Sequence, residues 1–353
     1  MLSFSEKNHS LLVRSRFWHE QQEWESAFEA CEGVTRITSE NYGLLKSLLS
    51  SRDESDTYLT TPNYYCYTGR NGLWVYQDGE EFVVLCWHPN TAGEILVFPQ
   101  FLRPTSGMLF QLLGFMPVPP VGVRLARIGV GTDLAQDHHS DDTRRVVLRG
   151  CEETVLDWKY PVHILDTAKV ATHVGGKYMH MRNRLRQLKG AKVEVVAFDA
   201  VAHSRALENL LHRWAKHNAA VEGEYAELYA PYDSLFSWSM EKESGLEGLM
   251  VFIDDALQAV GLWDVCNVRH DTANLFVNFC NVTLPGLSEL LIVKSCERLQ
   301  ANGVAYLNLG GSETPGLDNF KRKFDPALSL DLRSYQVLIE DPCKRNVGDR
   351  AVA

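Results

Sequence analysis

No stretch of this 353-residue sequence approaches the roughly 20 uninterrupted apolar residues that a membrane-spanning helix requires. The opening residues, MLSFSEKNHSLLVRSRFWHE, hold no apolar run of the secretory kind. The eight cysteines, at 31, 66, 86, 151, 266, 280, 296 and 343, never fall in the C-x-x-C spacing of zinc ribbons and redox motifs. In a chain this long they read as reduced core residues rather than a disulfide framework. His173 and His180 have no third ligand in view, so no metal site is expected. These absences together predict a cytoplasmic protein without a transmembrane segment. Positive charge is also scarce: the formal net charge of −10 excludes a general DNA or nucleic-acid binder, which needs a basic surface to neutralise phosphates. Solenoid-period repeats and low-complexity tracts are absent as well.

What is present is ordinary globular material. Apolar residues make up 45% and charged residues 23%, enough to bury a core, and the length suits two domains. Charge is unevenly placed. Between Asp166 and Glu194 no acidic residue occurs, whereas Lys169, Lys177, Arg182, Arg184, Arg186, Lys189 and Lys192 do. A cationic strip thus survives on an acidic body.

Periodicity predicts a helix near Ser39–Ser51, with Tyr42, Leu45 and Leu49 on one face. The runs NGLWVYQDG, EFVVLCWHP and GEILVFPQ, bounded by Gly, Asp-Gly and Pro, predict a strand meander. GMLFQLLGFM reads as a helix stopped by Pro117, Pro119 and Pro120. WKYPVHILD closes a first lobe, giving domains 1–160 and 161–353. KYMHMRNRLRQLKG then predicts a helix with Tyr178, Met181, Leu185 and Leu188 as its apolar face, VEVVAFD a strand, and SRALENLLHRWAKHN an amphipathic helix. GLMVFIDD, ALQAVGLWDVC and ANLFVNFCN read as strands, followed by a helix over Gly286–Asn302, the strand VAYLNLGG, the short helix GLDNFKRKF and a last strand at RSYQVLIED. This order predicts an α/β fold of mixed sheets with helices on their faces.

Chemistry concentrates after VAYLNLGG. Gly310 and Gly311 at a strand end let the backbone take unusual dihedrals or let a ligand approach the main chain; a plain tight turn is the alternative. Phe320 and Phe324, four apart, can anchor one face of the short helix and hold Lys321 beside that strand end. Asp264, His270, Asp271 and Glu313 are possible proton acceptors, and Glu313, directly beyond the glycines, is the chosen one. RLARIGVGTD, with Arg127, Gly129 and Gly131, comes nearest to a phosphate loop but reads mainly as a turn.

The residues PGLSELLIVKSCERLQANGVAYLNLGGSETPGLDNFKRKF resemble the C-terminal GNAT-like half of the Fem-type peptidoglycan aminoacyltransferases and of the phosphatidylglycerol lysyltransferase catalytic domain. KYMHMRNRLRQL is similar to the basic helix of the lysyltransferase-like domains. The resemblance implies two tandem GNAT-like lobes and an enzyme that moves an amino acid from aminoacyl-tRNA to an amine or hydroxyl acceptor, on a small molecule, peptide or lipid head group. Aminoacyl-tRNA is then the co-substrate, with no bound cofactor. The resemblance also implies an active-site role for Lys321, whose ammonium could stabilise the oxyanion or neutralise a phosphate of the tRNA 3′ end. Lys177, Arg182, Arg184 and Arg186 would meet tRNA phosphates. GNAT folds hold the acyl donor where two parallel strands splay, here ANLFVNFCN and VAYLNLGG. Acetyl-CoA-dependent members bind pyrophosphate at a Gly-rich basic loop, and NVTLPGLSEL lacks both features. Two rival readings stay open: an N-acyltransferase using acyl-CoA or acyl-carrier protein, and a non-catalytic binding protein on the same scaffold.

Overall fold

The computed structural model describes residues 19–50, 61–89, 91–99, 107–128, 138–140, 145–150, 160–222, 232–233, 235–236, 244–266, 271–312 and 314–340. The chain forms two units. One comprises Met1–Leu48, Thr68–Leu156 and Arg333–Ala353; the other comprises Leu49–Tyr67 and Asp157–Leu332.

The first unit is built on strands β1 (Val34–Arg36), β2 (Leu73–Asp78), β3 (Glu81–Trp87), β4 (Glu94–Pro99), β5 (Gly122–Ile128), β6 (His138–Ser140) and β7 (Arg145–Gly150), with the last of the described strands, β15 (Leu332–Glu340). They form one sheet in the order β1-β2-β3-β4-β5-β15-β7-β6. The meander read from the sequence is β2-β3-β4, antiparallel throughout; Gly79 takes φ 59° in the tight β2–β3 turn. β4 and β5 are parallel, which requires a crossover, and helix α3 (Gly107–Phe115) lies in it. Leu109, Leu112, Leu113 and Met116 from that segment are fully buried against Trp74, Val83, Leu85 and Trp87, together with Trp24 and Phe28 from the helical stretch 19–29. The indole N–H groups of Trp74 and Trp87 donate to Glu29 and Glu25, so these buried rings keep their polar atoms paired. Helix α1 (Tyr42–Ser50) buries Tyr42, Leu45 and Leu49, the face read from its periodicity.

The second unit contains α2 (Pro62–Thr68), all but its last residue, and strand β8 (Val162–Asp166), followed by α4 (Thr167–Thr172), a 3-10 turn Gly176–Tyr178, α5 (Met179–Leu185) and a 3-10 turn Arg186–Leu188. Next come β9 (Val193–Ala197), α6 (Ser204–Glu222), β10 (Glu247–Ile253), β11 (Ala256–Val265), β12 (Thr272–Cys280), α7 (Leu287–Ala301), β13 (Tyr306–Asn308), α8 (Pro315–Arg322) and β14 (Leu328–Leu330). The sheet order is β14-β8-β13-β12-β11-β10-β9. α7 makes the crossover between β12 and β13, which are parallel, while their other neighbours are antiparallel. A meander, a crossover helix and a parallel strand therefore recur in both units, and the expected mixed α/β architecture with two sheets is present.

The core of the second unit has two faces. Leu165, Val170, Tyr178, Met181, Trp263, Leu287, Leu291, Leu299, Leu307 and Phe324 pack on one side, and Leu207, Leu210, Leu211, Met250, Val260, Leu262, Val277 and Phe279 on the other. The apolar stripe of α6 covers this second face.

Three readings change. RSYQVLIED pairs with β7 in the first unit's sheet, because alternation identifies a strand but not its partner. WKYPVHILD does not close the first lobe: its strand, β8, sits between β13 and β14 in the second sheet. The single basic helix is broken into 3-10, α and 3-10 segments, with Tyr178 and Met181 buried and Leu185 and Leu188 packed at the edge of the core.

Candidate functional site

The parallel pairing of β12 with β13 covers only Thr272↔Tyr306, Ala273↔Leu307 and Asn274↔Asn308. Beyond Asn274, β12 runs on to Cys280 beside β11, whereas β13 ends at Asn308 and the chain turns toward β8, Leu309 N–H donating to His163 O. The two strands thus part at the Asn274/Asn308 pair. Splayed parallel strands leave backbone groups available to an extended ligand.

Gly310 follows directly with φ 75°, a left-handed conformation that glycine adopts without the Cβ penalty. Its N–H donates to Asn308 Oδ1 at 2.9 Å, an Asx turn at the strand end. Its carbonyl accepts from His163 N–H at 3.3 Å and from Lys321 Nζ at 3.2 Å, and the Gly311 carbonyl accepts from the same ammonium.

Lys321 is 8% exposed. α8 begins with Thr314 as N-cap, its hydroxyl accepting from Leu317 N–H, and Pro315 occupies the first turn. Phe320 and Phe324 stack edge to face at 5.3 Å, with Phe324 in the core. Asp318, one turn before Arg322, accepts from Arg322 Nε at 2.8 Å and lies 2.8 Å from His163 Nε2. His163 and Asp318 are both buried, and Ser329 Oγ is 2.9 Å from His163 Nδ1. A carboxylate at Asp318 accepts from His163 Nε2–H. This array pins α8 to β8 and so fixes Lys321 at the strand end. Asp318→Ala is expected to cost about 2 kcal/mol of stability, because a buried donor loses its acceptor; urea unfolding measures it, and a loss below about 0.5 kcal/mol would mean that α8 is held by its phenylalanines alone.

A second array runs along the face opposite α7. Asp264, Asn274 and Asn308 sit side by side on β11, β12 and β13, and all three are buried. Asn308 Nδ2 donates to Asn274 Oδ1 at 3.0 Å; Asn274 Nδ2 donates to Thr61 Oγ1 at 2.8 Å and to Asp264 Oδ1 at 3.3 Å. From α2, Asn63 Nδ2 donates to Asp264 Oδ2 at 2.9 Å and to the Ser244 carbonyl at 2.7 Å. Burial raises the Asp264 pKa to about 7, with the hydrogen bonds from Asn63 and Asn274 pulling the other way.

The basic strip is largely engaged within the protein. Arg182 Nη1 donates to the carbonyls of His173 and Gly175, where α4 ends at a left-handed His173 (φ 37°). Arg184 Nε lies 3.7 Å from the buried carboxylate of Glu289 in the first turn of α7. Lys177 pairs with Asp325 and Arg186 with Asn183, both at the surface. Lys169, Lys177, Gly175, Gly176, Tyr178 and Asp325 line a surface depression of about 270 Å³. At the α7 N-terminus Gly286 has φ 88°, and a Cβ there would collide with the Arg184 carbonyl. Backbone from α5 therefore closes this helix end.

The structure thus brings together Gly310, Gly311 and Lys321, while Lys177 pairs with Asp325 just beyond α8 and Arg182, Arg184 and Arg186 engage His173 and Gly175, Glu289 and Asn183. Glu313, His270, Gly129 and Gly131 lie outside the described residues. Asp271 lends its carbonyl to the N–H groups of Ala305 and Tyr306. Sequence reading missed His163, Asn274, Asn308 and Asp318. Each left a trace: a histidine inside the apolar VHILD, asparagines inside ANLFVNFCN and VAYLNLGG, and an aspartate three residues before Lys321. Among the described residues no group of three or more His, Cys, Asp or Glu side chains could hold a metal ion, and no helix is long and apolar enough to cross a membrane.

Residues 162–333 match the family described as phosphatidylglycerol lysyltransferase, C-terminal. No curated protein is similar enough in sequence to match. Among solved structures, a conserved protein of unknown function from Bacteroides thetaiotaomicron VPI-5482 superposes with a TM-score of 0.65 at 15% identity, over 86% of this chain and 99% of that one. L-PGS from Bacillus licheniformis gives a TM-score of 0.52 at 12% identity, over 85% and 92%. FemX gives 0.53 at 11% identity, over 86% and 96%. These likenesses show a shared fold across nearly the whole chain. Residues 162–333, which include Asp264, Asn274, Asn308, Gly310 and Lys321, are thus similar to the family of the phosphatidylglycerol lysyltransferase C-terminal region, over just under half of the chain.

Proposed function

We propose that this protein is an aminoacyltransferase that takes an amino acid from aminoacyl-tRNA and passes it to an amine or hydroxyl acceptor on a small molecule, peptide or lipid head group. The observation that carries the reading is the buried Lys321 ammonium, fixed by the Gly310 and Gly311 carbonyls beside the splay of β12 and β13. In such a transfer the acceptor's N or O attacks the ester carbonyl and loses a proton. The carbonyl oxygen becomes an oxyanion, and the ribose oxygen of the tRNA leaves and takes up a proton. The donor ester needs little activation, so the barrier falls mainly through positioning and through stabilising that oxyanion. A cation already held in place by backbone carbonyls needs little reorganisation when negative charge develops. Burial favours this role over pairing with a hydrated tRNA phosphate.

The rival donor, a coenzyme A thioester, finds poor support at its usual anchor. The N-terminus of α7 meets the α5 backbone and carries the buried Glu289 carboxylate, which would repel a pyrophosphate.

The test is incubation with a mixture of charged tRNAs and candidate acceptors, following which amino acid leaves its tRNA. Acceptor-dependent loss of one amino acid is expected. No loss from any tRNA, together with calorimetric binding of a CoA thioester, would overturn the reading. The exposed Lys177 and Arg186 are the cations of the strip best placed to meet phosphate. Changing both to Gln is expected to flatten the dependence of log K on log salt by roughly 1.5, as two lost phosphate contacts require; an unchanged slope moves the tRNA site elsewhere.

A further inference from the structure

We propose that Asp264, Asn274 and Asn308 form a directional hydrogen-bond relay that positions the Gly310–Gly311 carbonyls and, through them, Lys321. The inference deepens the aminoacyltransferase reading by naming the residues that set its cation, and it rests on that reading only for the catalytic consequence.

With Asp264 ionised, as at pH 8, the relay has a single polarity. An ionised carboxylate only accepts hydrogen bonds, so Asn63 and Asn274 must both turn their NH₂ groups toward Asp264. With its NH₂ shared between Asp264 and Thr61, Asn274 presents its oxygen to the other side, where Asn308 Nδ2 donates to it. Asn308 must then aim its own oxygen at the Gly310 N–H. Each amide orientation is dictated by its neighbour, beginning at Asp264. The last bond holds Gly310 in its left-handed turn, from which two successive carbonyls converge on Lys321 Nζ. All three side chains are at most 4% exposed, so water does not compete and a mismatched amide would leave a buried group unsatisfied. From β8, the His163 N–H donates to Gly310 O on the next peptide, but not to the Gly311 carbonyl. These three are positioning residues: none is argued to touch the substrate.

The experiment reads the lysine directly. The whole folded protein is treated with trace acetic anhydride, and labelling of Lys321 is compared with that of the exposed Lys192 by mass spectrometry. Asp264→Asn reverses the relay at its origin, and Lys321 labelling is expected to rise about tenfold, the effect of losing one hydrogen bond to a charged group. The double variant Asp264→Asn/Asn274→Asp moves the acceptor one strand over. The carboxylate then on β12 would accept from the new amide on β11 and from Asn308, and labelling is expected to return to within about twofold of the original because the chain of bonds is whole again. A folded Asp264→Asn protein that labels like the original overturns the relay, as does a folded swap that labels like the single variant. Where either variant fails to fold, Asn308→Ala replaces it, with the same rise expected and an unchanged rate overturning the proposal. Absence of transfer from any charged tRNA by the original protein would remove the aminoacyltransferase reading and leave this labelling result standing.

Discussion

Lys321→Met is expected to lower the single-turnover rate of transfer from saturating aminoacyl-tRNA by about a hundredfold or more, the scale of losing one preorganised oxyanion donor. Methionine keeps most of the length and apolar volume of the lysine stem, so α8 can stay packed through Phe320 and Phe324. What disappears is the ammonium. Gly310 O still accepts from His163 N–H, whereas Gly311 O loses its bond to Lys321. The stability loss is expected to be about 1–3 kcal/mol, read from urea unfolding, and the protein should remain folded at working temperature. Affinity for the charged tRNA should change much less than the rate, because the contribution is made mainly in the transition state. Undiminished transfer by a folded Lys321→Met protein would remove this residue from the chemistry and with it the main local support for the proposed function.

A second large effect concerns pH. The Asp264 pKa is raised by burial from 3.8 to about 7, so between those values the folded protein binds a proton that the unfolded chain has released. Stability linked to this group is therefore present below about pH 4 and is lost as pH rises toward 7; the shift corresponds to at most about 4 kcal/mol. Asp264→Asn cannot titrate. Whatever fixed cost it carries from the mismatched amides, its stability relative to the original should improve as pH goes from 5 to 8. Parallel urea titrations at those pH values measure the difference. A difference that stays constant would mean that the carboxylate is already ionised at pH 5 and fully compensated by Asn63 and Asn274.

The parts of this fold that the sequence declares are those set by local chemistry. β2, β3 and β4 are bounded by Gly, Asp-Gly and Pro, and α1 and α6 show their buried stripes at helical spacing, so each could be delimited without knowing its neighbours. Partner choice is a different matter. β15 reads equally well as a strand of either sheet, and only long-range packing assigns it beside β7. The same division runs through the site. Gly310, Gly311 and Lys321 lie within a dozen residues of one another and could be read as a group. Asp264, Asn274 and Asn308 come from three strands and become a row only through register. The basic strip shows the limit of counting charge: Arg182 caps a helix end and Arg184 faces Glu289, roles invisible in a tally of cations.

The placement of β15 has a consequence for biosynthesis. It lies between β5 and β7, yet among the described strands it leaves the ribosome last, after the whole of β8 to β14. At about 5–20 residues per second, the facing edges of β5 and β7 stay without their strand for on the order of ten seconds or more, while the chain of the second unit is still being made. Bare strand edges invite pairing with other chains. The nascent protein is therefore most exposed to misassembly in its N-terminal unit, although the chemistry proposed for it resides in the other.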